Sequence, residues 1–198
     1  MQTYLESSTY IDWKNPNVLA KARQLAQGCD SDYSIAHACF LFVRDQIKHS
    51  MDFKLNPVTV KASEALEEGT GFCYAKSHLL AALLRANGIP AGLCYQRLTI
   101  KDDKPPFCLH GLNAVLLKDY GWYRMDARGN RSDIHAEFSP PIEQLAYPIL
   151  IEGEADFAPI WATPMQEVTI SMEAASTYLE LSKNLPDIEI IQREQASL

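Results

Sequence analysis

Apolar positions in the first half of the chain recur at helical spacing. Val18, Leu19, Ala22, Leu25 and Ala26 share one face of a segment that follows Pro16, a residue suited to a first helical turn, and Gly28 stops it. A second helix is expected over about residues 32–48, capped by Ser31 or Asp32, with Ile35, Cys39, Phe42, Val43, Gln46 and Ile47 recurring along it. Residues 49–59 show no clear period and contain Asn56-Pro57, which reads as a loop or extended connection. Residues 63–68 give a short helical turn ended by Gly69. Then Ala75, Leu79, Ala82, Leu83 and Ala86 form an apolar face that Leu80 and Leu84 widen, so this helix is expected to be the central, buried one. Asn87-Gly88 ends it, and Pro90 prevents continuation. The pattern changes to strands at residues 91–100, 110–118 and 122–127, separated by a polar loop at 101–106 and a turn at Asp119-Tyr120-Gly121. Beyond lie Pro140-Pro141, an extended stretch around Ile149-Leu150-Ile151, a final helix over about residues 172–184, and a surface or frayed tail after Pro186. Helices, an antiparallel meander and a closing helix make an α+β fold, read as one domain over residues 1–198.

Composition narrows the function classes. The 25 acidic and 18 basic residues give a net charge of −7, and no run of Lys and Arg marks a nucleic-acid footprint. The segment Met1-Gln2-Thr3-Tyr4-Leu5-Glu6 lacks a basic stretch followed by an apolar one, as a signal peptide would have. No apolar run approaches the ~18 residues that span a bilayer. A cytoplasmic protein with no membrane partner is expected. The five cysteines are odd in number and widely spaced, against a disulfide framework. No C-x-x-C, H-E-x-x-H or D-x-D-x-D-G pattern occurs, so no metal or cofactor is expected. Buried packing is the default role for four of the five cysteines.

Cys73 is the exception. It follows Gly69-Thr70-Gly71-Phe72 at the start of the most apolar helix. A nucleophilic cysteine must be a thiolate, and a helix N-terminus stabilises that anion with unpaired N–H groups and the positive end of its dipole. The same N–H groups can bind an oxyanion. The thiol needs a base. His110 opens the second strand in an apolar neighbourhood, where the small Gly111 leaves room beside the ring. The base needs an acceptor for its other N–H, and Asp126 lies on the next strand. Hairpin counting puts Asp126 nearer Asn113 than His110, so direct contact calls for a bulge or strong twist. The bland readings are an inert packed thiol, a hydrogen-bonded histidine and an aspartate that caps the strand end with Arg124 or Arg128 as its partner. Other candidates are weaker: His78 points away from Cys73 along the helix, His135 is solvated, His37 and His49 belong to the N-terminal helical region, Cys94 packs mid-strand, and Cys108 is a minor suspect for thiol chemistry.

Three ordered motifs resemble the transglutaminase-like superfamily. The first runs from Gly69-Thr70-Gly71-Phe72-Cys73 to Leu83-Leu84-Arg85-Ala86-Asn87-Gly88-Ile89-Pro90-Ala91. The second is His110 with Asn113 and Val115, and the third Trp122 with Asp126. They cover about residues 69–127. The resemblance implies a papain-like core in which the Cys-bearing helix packs on an antiparallel sheet that supplies His and Asp. It implies a Cys73-His110-Asp126 triad acting on a peptide or amide substrate, as a peptidase-like or amidase-like hydrolase. Acyl transfer to an amine, and a non-catalytic peptide-binding module on the same fold, stay open. A thioester donor such as coenzyme A is disfavoured by the lack of a phosphate-cradling glycine loop. Two departures matter. The family often has an aromatic and then an acidic residue after the His, where this chain has Leu112 and Ala114. No side-chain oxyanion donor is evident upstream of Cys73, which leaves its backbone N–H. The cleft is expected to be lined by residues 101–107 and 49–59.

Overall fold

A computed structural model describes residues 1–101 and 104–191. Helices α1 (Pro16–Ala26) and α2 (Asp32–Gln46) lie where the apolar spacing puts them. Asn15 caps α1. Ser31 caps α2 through a reciprocal pair with Ser34, each hydroxyl accepting the other's backbone N–H. Helix α2 ends earlier than its pattern suggests, because Ile47 turns extended and Lys48–His49 (β1) pair in parallel with Thr70–Gly71 (β2). Two-residue strands carry no readable alternation, so the sequence gives no sign of this bridge. The connection expected after it contains a one-turn helix, α3 (Ser50–Phe53). Helix α4 (Ala62–Glu68) stops at Gly69, whose φ of +64° is the left-handed conformation glycine adopts freely.

Helix α5 (Cys73–Ala86) is buried from Cys73 through Arg85. It touches α1, α2 and α4 as well as strands β3 (Ala91–Thr99) and β4 (Phe107–Leu117). Two cations on so buried a helix need partners, and both find backbone carbonyls. Lys76 Nζ donates to the carbonyls of Ile47 and Arg44, closing the C-terminus of α2. Arg85 donates to the carbonyls of Ala91, Ala162 and Glu6, fastening the N-terminal segment to the start of the sheet.

The main sheet has the order β5-β4-β3-β8, antiparallel throughout, with β5 at Gly121–Met125 and β8 at Ala155–Asp156. Strand β4 begins at Phe107, before His110, because its ladder with β3 runs on to the pair Thr99↔Phe107. Asp102 and Asp103 of the expected polar loop lie outside the described residues. A small hairpin, β6 (Glu137–Ser139) and β7 (Ile142–Gln144), turns at Pro140-Pro141.

The single closing helix expected over residues 172–184 is two: α6 (Gln166–Glu173) and α7 (Tyr178–Lys183). Thr177 and Glu180 form a capping box that starts α7 afresh. The tail is not frayed through residue 191. Pro186 O accepts the Leu109 N–H at 2.7 Å, and Ile188, Ile190 and Ile191 pack on the core. The expectation for residues 192–198 lies outside the described residues. The architecture is α+β, with the Cys-bearing helix packed on an antiparallel sheet. Among the described residues, no helix is long and apolar enough to cross a membrane.

Candidate active site

The site forms where the first turn of α5 meets β4. Tyr74 Oη donates to Leu109 O, and Asn113 Nδ2 donates to Ser77 O at 2.9 Å and Gly92 O at 3.2 Å, so helix and strand are tied on both sides of His110. Gly111 sets their distance. A Cβ there would stand 3.0 Å from Tyr74 Cδ1 and 3.4–3.5 Å from the Tyr74 Cα and N. Its small size makes room for the helix backbone, where the sequence suggested room for the His110 ring. Phe72 at the N-cap makes no side-chain cap bond, so the N–H groups of the first turn have no side-chain acceptor there.

The structure brings His110 and Asp126 together: Nε2 and Oδ2 are 2.7 Å apart. No bulge is involved. The β4–β5 ladder runs in regular register from Leu117↔Gly121 to Asn113↔Met125. Continuing it by one residue sets Asp126 opposite Leu112, on the same pleat face as His110 two positions away. Diagonal neighbours of this kind lie within reach of long side chains. Asp126 is wholly buried and accepts two further bonds, to Oδ1 from Arg128 N at 3.0 Å and to Oδ2 from Ala146 N at 3.1 Å. The ion partners considered for it are engaged elsewhere: Arg124 binds Glu143 and Asp156, and the Arg128 guanidinium binds Asp52.

These contacts set the electrostatics. Burial of the His110 ring opposes its charged form, but the charges of Asp126 and Cys73 and the hydrogen bond to Asp126 prevail and raise its pKa to about 10. Burial likewise works against the Asp126 carboxylate, yet the His110 charge and bond and the two N–H donors hold its pKa below the usual range. With Nε2 committed to Asp126, Nδ1 is the ring nitrogen left for Cys73.

Cys73 and His110 line a cleft of about 400 Å³. The connection after β1 contributes His49, Met51 and Asp52, as expected. Of the stretch 101–107, the described residues do not line the cleft; Thr99 and Ile100 before the loop do, with Cys108 and Leu109 after it. Arg128, Tyr147 and Leu185 also line the cleft, from regions to which the sequence assigns no element, as does Leu150 from the extended stretch. They stand mostly in irregular segments, which carry no periodic signal.

His49 lines the cleft as expected but stands in a strand, not in the N-terminal helical region. It lies in β1 beside Gly71, its ring 5.6 Å from that of Phe72, and its Nδ1 has no hydrogen-bond partner. Burial first, and then the positive charges of Arg128, Lys76, His110 and Arg131, push its pKa well down, so it is neutral. His78 is directed elsewhere, with Nδ1 2.7 Å from Val60 O, and His135 is exposed. Burial pushes the Cys94 and Cys108 thiols up to about 12. Among the described residues, no group of three or more His, Cys, Asp or Glu side chains could hold a metal ion.

The model of the transglutaminase-like superfamily matches residues 20–127. No curated protein matches the chain. Among solved structures, a candidate cysteine protease from Cytophaga hutchinsonii superposes with a TM-score of 0.51 at 22% identity, over 63% of this chain and 40% of that one. The periplasmic domain of TgpA from Pseudomonas aeruginosa gives 0.48 at 18% identity, over 63% and 45%. The likeness to the first bears on fold alone, and the match spans less than half the length of either. The family match covers more than half of the 198 residues and contains Cys73, His110 and Asp126: the chain belongs to the transglutaminase-like superfamily.

Proposed function

We propose that this protein is a cysteine-dependent amide hydrolase in which Cys73 is the nucleophile, His110 the proton carrier and Asp126 the group that orients it. The observation that carries the reading is the buried 2.7 Å pair of His110 and Asp126 beside a cysteine at a helix start, in an open cleft. A cationic imidazole next to a cysteine favours the thiolate. Cys73 Sγ adds to the substrate carbonyl carbon, and the oxygen takes the negative charge facing the Cys73 backbone N–H. The C–N bond then breaks as His110 gives its proton to the departing amine, leaving a thioester. Water adds to the thioester and loses its proton to His110. The acid leaves, and the thiolate–imidazolium pair is restored. Five free cysteines suit a reducing, cytoplasmic setting.

An amine in place of water would turn the same thioester into a transfer product. Incubation with a library of peptide and glutamine-containing amides, read by mass spectrometry, distinguishes a gain of water from a gain of amine. Turnover by the wild type and none by a folded Cys73→Ala variant is the expected result. Equal turnover by the two proteins would remove Cys73 from the chemistry.

A further inference from the structure

Residues 145–150 belong to no helix or strand, yet they touch both partners of the buried pair. Ala146 N donates to Asp126 Oδ2 at 3.1 Å. The next residue, Tyr147, sets its ring edge-to-face against His110, with centroids 5.0 Å apart and planes at 85°. The Arg128 guanidinium lies over the same ring at 5.8 Å. The backbone here is anchored from behind: Tyr147 O accepts from Gln96 Nε2 at 3.2 Å, and Gln96 is the cross-strand partner of His110. Gln96 is itself buried and holds Asp156 with the same amide nitrogen.

We infer that Tyr147 is a positioning residue: its aromatic ring, pinned through Gln96, holds the His110 imidazole in place and favours its cationic form. The inference rests on the triad reading above and adds a residue to it. An aromatic ring attracts a cation through its quadrupole, and more strongly in a dry setting. The Tyr147 ring contacts both the His110 ring and the Arg128 guanidinium, and a guanidinium alone would repel the imidazolium. The groups around His110 are Asp126 from the end of β5, Cys73 from the start of α5, neutral His49 from β1, and Arg128, which packs on the Tyr147 ring. Arg128 is itself paired with Asp52, its Nη2 2.8 Å from Oδ1. The Tyr147 hydroxyl stays protonated, since burial first, partly offset by Arg128, brings its pKa up to about 12. The ring, and not a phenolate charge, is therefore what acts on His110.

The test is the titration of His110 followed by nitrogen-15 NMR of the labelled imidazole, in the full chain without substrate. Tyr147→Phe keeps the ring and should titrate as the wild type does. Tyr147→Leu and Tyr147→Met keep bulk without the ring and should lower the midpoint by about one pH unit. Using both leaves a result if one of them fails to fold. In turnover of any amide cleaved by the wild type, the same two variants should bring the alkaline limit of kcat/KM down with the midpoint, while Tyr147→Phe restores it. A wall residue would change KM and leave the midpoint alone. An unchanged midpoint in a folded Leu or Met variant overturns the inference and leaves the triad standing. A wild-type His110 that titrates at an ordinary histidine value would instead remove the cationic pair on which both readings depend.

Discussion

Asp126 shows how much one buried carboxylate has to do. It has no solvent, so its charge is held by the His110 ring and the N–H groups of Arg128 and Ala146. Asp126→Asn keeps the shape and removes the charge. An amide can also favour the wrong imidazole tautomer, so turnover should fall by about 10³–10⁴-fold. That loss should be smaller than the loss from His110→Ala. Stability should respond to pH with a definite sign. The folded pKa of His110 is raised from 6.5 to about 10, so its stabilisation is fully present below pH 6.5 and is lost as the pH rises through about 10. The Asp126 pKa is lowered from 3.8, so its share is present above that value and lost as the pH falls through the folded pKa. The stability gap between wild type and Asp126→Asn should thus be widest between about pH 4 and 6.5 and should narrow steadily towards pH 10. Urea unfolding across that range measures it. If stability shifts slightly at every pH and turnover is unchanged, Asp126 leaves the site and a Cys–His dyad remains.

At the scale of elements, the site depends on how closely α5 approaches β4. The apolar face of α5 is legible because its spacing is helical over four turns, and the strands are legible from their residue types and the polar loop and turn that bound them. The register of β4 and β5 is also countable: hairpin counting puts Asp126 nearer Asn113 than His110, in keeping with the pair Asn113↔Met125. What counting opposite pairs misses is the diagonal, which is how Asp126 reaches His110. The two-residue bridge between β1 and β2 is not legible, although the stretch that starts at His49 is expected in the cleft and lines it. Gly111 is the contact that admits α5. Gly111→Ala would press a methyl against the Tyr74 ring and backbone, with the nearest atom at 3.0 Å. Overpacking of this kind costs about 1–3 kcal/mol. The expected outcome is a protein that melts earlier and alkylates Cys73 more slowly, because the helix start is pushed off His110. A variant with wild-type melting and wild-type Cys73 reactivity would show that the helix and strand have slack there.

Across the whole molecule, Cys73, His110 and Asp126 all fall within the matched stretch 20–127, and each is visible as a motif in the sequence. Part of the cleft lining comes from Arg128, Arg131, Tyr147 and Pro148, Leu150, Glu154, Ser182 and Leu185, all beyond that stretch. Apart from Ser182, which falls within the closing helix expected over residues 172–184, those residues sit in turns and irregular segments, where hydrophobic periodicity has nothing to report. The residues of the proposed triad are therefore legible as motifs, and most of the remaining cleft lining is not. The measurement that bears most directly on the catalytic reading is the rate of Cys73 alkylation by iodoacetamide as a function of pH, in wild type and His110→Ala, with Cys94 as the internal comparison. A thiolate paired with an imidazolium predicts fast labelling of Cys73 at mildly acidic pH in the wild type and slow labelling in the variant. Cys94, whose thiol burial pushes up to about 12, should be slow in both. Equal rates at Cys73 with and without His110, across the pH range, would contradict the pair.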